Sequence, residues 1–133
     1  MIGKIKKYGK LGEDIAVRFL LEEGHRITAR NLRVGNKEID ILSEDGEYLV
    51  FTEVKTRTPE ADADLPRPAH AVDRNKKNNL IEAVRRYTRT YSPALIPRID
   101  VIEVFLSEGS QPRVEQIRSA VTQDDYRPKR RKR

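Results

Sequence analysis

The chain lacks cysteine, has only two histidines and contains no long apolar run. Without cysteine, disulfides, thiolate zinc sites and cysteine nucleophiles are excluded. With His25 and His70 alone, a histidine-rich transition-metal site is disfavoured, which leaves carboxylates and hard cations as the natural pairing. The N-terminal MIGKIKKYGK is basic but has no apolar stretch long enough for a signal peptide or a membrane span. We therefore expect a cytoplasmic protein with no membrane partner.

Most of the chain also lacks a net charge. The 133 residues include 27 Lys and Arg and 21 Asp and Glu, for a net charge of +6. The terminal RPKRRKR, residues 127–133, holds six of these bases, so the other bases and the acids cancel. We expect residues 1–126 to form a single domain and residues 127–133 to form a disordered basic tail that binds polyanions weakly.

The order of the predicted elements is typical of an α/β domain. Helical spacing of apolar residues predicts a first helix over residues 12–23 and a second helix that Asp73 caps. The second helix has a predicted buried stripe of Leu80, Ile81, Val84, Tyr87 and Tyr91. Alternation predicts strands at 25–34 with one slip or bulge, on both sides of Asp45-Gly46, at 98–106 and around 114–117. A proline-rich loop at 58–70 precedes the second helix, which crosses over to place the later strands on the sheet.

Charged residues interrupt the hairpin predicted within EIDILSEDGEYLVFTEVKTRT, residues 38–58. Asp-Gly between two apolar runs is a strong hairpin signal and predicts a two-residue turn at Asp45-Gly46. The resulting opposed pairs are Leu42 with Leu49, Asp40 with Phe51 and Glu38 with Glu53. In this register Asp40 and Glu53 are diagonal neighbours on one face, about 7–8 Å apart, with Lys55 following on that face. Two carboxylates at this separation can converge on one divalent cation.

A simpler interpretation of this face is the solvated side of an antiparallel sheet, where the charges only meet water. One feature speaks against it, since apolar residues occupy both faces of the hairpin. On the charged face these are Leu42, Leu49 and Phe51, and on the other they are Ile39, Ile41, Val50 and Val54. A carboxylate pair beside buried apolar residues needs a cation or strong donors to remain ionised. Glu13, predicted in the first turn of helix one, either leans over the sheet or complements the helix dipole.

Glu13 in a GxxGE helix start, Asp40, and Glu53-Val54-Lys55 resemble in order and spacing the motifs of the PD-(D/E)XK nuclease superfamily, including the archaeal Holliday-junction resolvases. A closer resemblance, to the YraN-like family of small bacterial proteins, runs over most of residues 8–105. It is carried by NLRVGNKEIDILSEDGEYLVFTEVKTRT, HAVDRNKKNNL and RIDVIEV. The resemblance implies an α/β, restriction-endonuclease-like core with a central mixed β-sheet flanked by helices.

The resemblance also implies roles for individual residues. Asp40 and Glu53 would ligate Mg²⁺ or Mn²⁺ together with the Val54 carbonyl. Lys55 would orient the attacking water, and Glu13 would complete the catalytic set. Phosphodiester hydrolysis needs an activated water and neutralisation of the phosphate, and a divalent cation with a lysine supplies both.

Several bases around the second helix are candidates for binding flanking phosphates by charge-assisted bonds. They are Lys76, Arg74, Lys77 and Arg57, with Arg85 and Arg86 further along. The alternative is that those on the helix form only its solvated face. Lys37 stands where the family pattern has glycine, the 58–70 loop departs from that pattern, and His70 is interpreted as a loop residue. Asp100 is expected to form a structural ion pair with Arg98 or another base rather than to act in catalysis.

The leading expectation is a divalent-metal-dependent endonuclease that acts on structured or branched DNA. This function is compatible with a homodimer. The alternative is a non-catalytic nucleic-acid-binding protein that retains the nuclease fold, with affinity that falls steeply with salt. A third hypothesis is a protein-interaction domain in which the carboxylates and Lys55 form a structural network.

Overall fold

A computed structural model describes residues 2–59 and 74–127, with side chains from Tyr8 onward in the first helix. Its elements are α1 (Ile2–Glu22), β1 (Arg26–Val34), β2 (Lys37–Asp45), β3 (Tyr48–Arg57), α2 (Arg74–Tyr91), β4 (Ile96–Phe105), β5 (Arg113–Val121) and a 3₁₀ turn (Gln123–Asp125). The predicted loop lies outside the described residues beyond position 59, as do His70, the Asp73 cap and residues 128–133. No helix of the described part is long and apolar enough to cross a membrane.

The strands form one five-stranded sheet in the order β1-β2-β3-β4-β5. Neighbouring strands are antiparallel except for β3 and β4, which run parallel. A parallel pair needs a crossover connection, and α2 lies within it. The fold is therefore α/β with a mixed sheet flanked by two helices, which confirms the predicted class and element order. The predicted slip in the first strand is confirmed as a register shift between Ile27 and Ala29.

Each face of the sheet carries its own apolar core. Residues buried between α1 and one face are Ala16, Leu20, Ile41, Ile102, Val104 and Leu106. The core beneath α2 includes Leu42, Leu49, Phe51, Leu80, Ile81, Ala83 and Val84, and the ring of Tyr87 meets Phe51 edge-on at 5.4 Å. Burying one such side chain contributes about 1.5–3 kcal/mol. Tyr91 was wrongly assigned to this stripe, because it ends α2, is 66% exposed and lies against Tyr87 instead.

The hairpin forms as predicted, but its turn lies one residue further along. Asp45 pairs with Tyr48, so Gly46 and Glu47 make the turn, and Gly46 has φ of 57°. Two-residue hairpin turns with glycine as the first central residue have a positive φ at that position, as Gly46 does. In the predicted Asp45-Gly46 turn, glycine would have been the second central residue.

The shift of the turn changes the predicted pairing without changing the faces. Leu42 pairs with Phe51 and Ile41 with Thr52. Because the register moves by two residues, the predicted faces are kept, except that Ile39 packs in the core beneath α2. Continued by one residue, the register places Asp40 opposite Glu53, rather than opposite Phe51 as predicted. The two acids are thus brought closer than the predicted diagonal arrangement.

The first helix begins at Ile2, ten residues before its predicted start. Glu13 consequently lies in mid-helix, and the interpretation that it complements the helix dipole is wrong, since that effect fades within the first turn. Close packing positions this part of α1, because a Cβ at Gly12 would collide with Thr56 Oγ1 on β3. The predicted short strand around 114–117 is longer and spans β5.

Candidate functional site

Two acids from neighbouring strands lie side by side on the sheet face that α2 covers. Glu53 on β3 is 6% exposed, and Asp40 on β2 is partly buried. The backbone N–H of Val54 donates to Asp40 Oδ2 at 2.8 Å, which holds the carboxylate between the two strands. Both acids line a cleft of about 410 Å³, and Lys76 from the first turn of α2 lines the same cleft.

The position of Asp40 makes its negative charge costly. Burial, reinforced by the charge of Glu53, raises the pKa of Asp40 to about 7, although the Val54 hydrogen bond opposes the shift. Two carboxylates this close cannot both ionise freely in a partly buried cleft. The pair therefore favours either a shared proton or a cation near neutral pH.

Two lysines compete for the other acid. The ammonium of Lys76 lies 2.6 Å from Glu53 Oε1, and that of Lys55 lies 3.5 Å from the same atom. Burial and the nearby Lys76 charge lower the pKa of Lys55. Burial is the largest single influence on Lys76 and acts against its charge, but the hydrogen bonds to Glu53 and Lys55 and the charges of Glu53 and Asp40 together outweigh it and raise the pKa of Lys76. Lys76 is thus a member of the carboxylate cleft as well as of the α2 surface.

Glu13 approaches the site from α1 but does not line the cleft. Burial raises the pKa of Glu13, while Asn31 and Arg30 act in the opposite direction. Arg30 lies 3.8 Å from Glu13 Oε2. With its amide oriented to satisfy both neighbours, Asn31 donates to Glu13 Oε2 at 3.2 Å and to Glu38 Oε1 at 3.3 Å. Glu13 still adds to the negative charge that Asp40 experiences.

The donor chemistry of the cleft fits a hard divalent cation. Carboxylate oxygens are among the ligands that Mg²⁺ prefers, and Asp40 and Glu53 supply them in the cleft. Val54, whose carbonyl is the third predicted ligand, is not among the residues that line the cleft. The raised pKa of Asp40 marks a charge that such a cation would stabilise. Within the described residues, no three or more acids or histidines converge as a preformed metal cluster. The protein donor set is therefore small, as is usual for Mg²⁺, which keeps several waters.

The remaining basic candidates differ in their partners. Arg57 donates to the buried Glu103 at 3.1 Å, and Lys77 lies 3.7 Å from Asp125. Arg74 is exposed at the start of α2. The expected ion pair of Asp100 is confirmed, because Arg98 donates to both of its carboxylate oxygens at 2.9 Å.

Sequence reasoning missed the two neighbours of Glu13 on β1. Asn31 donates a hydrogen bond to Glu13, whereas Arg30 lies 3.8 Å from it and donates to Asp14 at 2.7 Å. Asn31 has φ of 50°, and asparagine is among the non-glycine residues that best tolerate this left-handed region. An Asn in the middle of a predicted strand was therefore the available signal. The contact between Lys76 and Glu53 had no local signal, since the two residues are 23 positions apart.

Comparison with known proteins places these residues in a family context. A model of the uncharacterised protein family UPF0102 matches residues 12–104. A UPF0102 protein of Porphyromonas gingivalis is 41% identical over 108 residues, covering 80% of this chain and 78% of that protein. Those of Dictyoglomus thermophilum and Rhodococcus opacus are 37% and 36% identical, over 80% and 84% of this chain and 88% and 93% of theirs.

One solved structure has a weak likeness to the fold. It is Pyrococcus furiosus SfsA in complex with Ca²⁺, with a TM-score of 0.32 and 16% sequence identity. The likeness covers 83% of this chain and 62% of SfsA, so the chain spans less than two thirds of that protein. A likeness at this level carries no argument about function.

Proposed function

The chain belongs to the uncharacterised protein family UPF0102, the YraN family, and from its carboxylate cleft we propose that it is a divalent-metal-dependent nuclease. The substrate is structured or branched DNA, and the reaction is hydrolysis of a phosphodiester bond. The observation that carries the proposal is the buried pair of Asp40 and Glu53, in which the pKa of Asp40 is raised to about 7. The motif order of Glu13, Asp40 and Glu53-Val54-Lys55 supports a PD-(D/E)XK assignment.

Each side chain of the cleft has a task that its position allows. Asp40 and Glu53, with the Val54 carbonyl, would hold Mg²⁺ or Mn²⁺, which when bound supplies Lewis-acid stabilisation and acidifies a water. Lys55 places a positive charge beside Glu53 and donates to the attacking water or a phosphate oxygen. Because its pKa is lowered, Lys55 gives up its proton more readily than an exposed lysine. Lys76 has a side chain 46% exposed, so its ammonium can turn from Glu53 to a phosphate.

The proposal is tested by incubating the protein with junction, flap, single-stranded and duplex DNA and Mg²⁺ or Mn²⁺. We expect cleavage of at least one structured substrate, and a loss of about 10²–10³-fold in the rate for Asp40→Ala or Glu53→Ala. Glu47→Ala is the matched control, because this acid lies exposed in the turn of the same hairpin. Cleavage that survives unchanged in both cleft variants would refute the assigned roles.

A second candidate, nucleic-acid binding without turnover, is favoured by the contact of Lys76 with Glu53. An ammonium at 2.6 Å already compensates this carboxylate without any metal. Titration of the wild type with Mn²⁺ in a calorimeter separates the two candidates. A nuclease binds Mn²⁺ with an affinity that falls in Asp40→Ala. Absence of Mn²⁺ heat together with salt-sensitive DNA binding would favour the second candidate.

A further inference from the structure

A second cavity, larger than the carboxylate cleft, lies between the start of β2 and the second half of α2. It has a volume of about 710 Å³. Its basic residues are Lys37, Arg85, Arg86 and Arg89, and Tyr126 forms part of its wall. We call this cavity the basic groove. None of its arginines lies in the motifs that relate the chain to nucleases.

Among the residues that the structure describes, no acid forms an ion pair with the arginines of the groove. Arg85 donates to the amide oxygen of Gln123 at 3.1 and 2.7 Å and lies 4.4 Å from the centre of the Tyr126 ring. Arg86 lies over the turn between β1 and β2, where a Cβ at Gly35 would stand 2.7 Å from its Nη1. Within residues 8–59 and 74–127, no ion pair involves Arg85, Arg86 or Arg89.

The other charges nearby are paired, which makes the groove arginines distinct. Glu82, the acid that lines the groove, lies 3.3 Å from Lys37. Lys76 and Lys77, earlier on α2, lie close to Glu53 and Asp125. The groove therefore has an excess of positive charge, namely three arginines in addition to the Lys37–Glu82 pair. A cavity with such an excess attracts a polyanion.

The basic groove and the carboxylate cleft are adjacent, because Asn36 and Lys37 line both cavities. From Lys76 at the cleft to Arg89 at the far end of the groove, α2 rises about 20 Å. Arg85 to Arg89 alone spans about 6 Å of helix axis. Successive phosphates of one strand rise about 3.4 Å in duplex DNA and are further apart in an extended strand. The groove therefore has room for about two or three phosphates.

We infer that the basic groove binds the backbone phosphates of one DNA strand as it leaves the carboxylate cleft. Arg86 and Arg89 contact the phosphates, and Lys37 lies at the boundary between the two cavities. This inference rests on the proposed function for the choice of DNA as the polyanion. It assigns the direction in which the flanking strand runs, along α2 away from Lys76.

The test measures the salt dependence of binding to a labelled single-stranded oligonucleotide, by fluorescence anisotropy in metal-free buffer. The variant is Arg86→Gln/Arg89→Gln, which removes two charges and keeps most of the side-chain length. Removing two phosphate contacts should reduce the slope of log K against log salt by about 1.4 between roughly 50 and 200 mM salt. Arg86→Lys/Arg89→Lys keeps the charges and should keep the slope.

The matched control is Arg18→Gln/Arg26→Gln, which makes the same change in net charge at exposed positions on α1 and β1. We expect this variant to retain nearly the full slope. Equal slopes for the groove variant and the wild type, or equal losses in the groove and control variants, would overturn the inference. A Lys variant that loses the slope as fully as the Gln variant would also count against phosphate contacts.

Cleavage assays on the same preparations separate this inference from the proposed function. If the wild type does not cleave DNA but the groove variant alone loses salt dependence, the groove assignment holds and the catalytic proposal fails. If the wild type cleaves DNA while the groove variant binds and cleaves like the wild type, catalysis holds and the groove assignment is wrong.

Discussion

Asp40 holds its proton differently in the folded and unfolded chain. Its pKa is about 7 in the fold because of burial and Glu53, against an ordinary value of 3.8. Between these values the folded protein binds a proton that the unfolded chain has released, so raising the pH favours unfolding. A bound cation would remove this penalty, since it replaces the proton at the acid pair.

We therefore predict that the metal-free protein loses stability as the pH rises from about 4 to about 7. Asp40→Asn cannot ionise, so this variant should have a flatter dependence and should be more stable than the wild type near neutral pH. Thermal unfolding in EDTA at a series of pH values measures both effects. Parallel pH profiles for the two proteins would contradict the raised pKa.

The sequence predicted which strand residues share a face but not which residue neutralises them. Alternation in β2 and β3 was enough to place Asp40, Glu53 and Lys55 together, because each strand fixes its own faces. The partner of Glu53 depends on how α2 crosses the sheet, and no local pattern encodes this. Lys76 was accordingly predicted as a phosphate ligand alone, although it also lies 2.6 Å from Glu53.

The positions of the helices and strands around the site were predicted more accurately than the pairing of residues between the strands. Apolar periodicity located both helices and every strand, because burial of one face determines it. The register of the hairpin depends on the type of turn, which the sequence did not determine. In a sequence containing Asp-Gly, the glycine can be either the first or the second central residue of the turn. The early start of α1 at Ile2 also escaped prediction, since its basic first ten residues lack an apolar stripe.

The packing of α1 on β3 gives a prediction for two glycines of one helix. Gly12→Ala places a methyl group against Thr56, so either α1 or β3 must move. We expect a loss of about 1–3 kcal/mol in the free energy of unfolding, measured by urea denaturation. Gly9→Ala is the control, because nothing lies within 4 Å of its added Cβ. This variant should gain up to about 1 kcal/mol from helix propensity.

The opposite order of stabilities would mean that α1 does not approach β3 as described. Because Thr56 follows Lys55 directly, the Gly12 substitution should also disturb the carboxylate cleft. Thr56→Ala removes the Oγ1 and Cγ2 atoms but keeps the Cβ, which lies 3.1 Å from the added methyl group. It should therefore restore part of the stability of Gly12→Ala, whereas it should not affect Gly9→Ala. Such non-additivity is the signature of direct contact.

At the scale of the whole molecule, most of the net positive charge comes from the last six residues of the sequence. Deleting residues 128–133 removes five bases and lowers the formal net charge from +6 to +1. The deletion leaves Arg127, whose backbone exchanges hydrogen bonds with Asn78 at 2.7 and 3.0 Å.

We predict that this deletion weakens binding to every DNA by a similar factor and lowers the salt dependence, because the lost contacts carry no sequence information. The cleavage rate at saturating DNA should be unchanged, since Asp40, Glu53 and Lys55 remain in place. Binding titrations and single-turnover assays with the truncated chain measure the two quantities. A truncated chain that binds DNA normally but cleaves slowly would assign these six residues to the chemistry instead.

The crossover between β3 and β4 has a consequence for how the acid pair is assembled. Asp40 and Glu53 belong to one hairpin, and hairpins close within microseconds. We expect their carboxylates to remain hydrated until α2 docks on that face of the sheet. The helix that excludes water from Glu53 also delivers Lys76, so dehydration and neutralisation of this carboxylate occur in a single event.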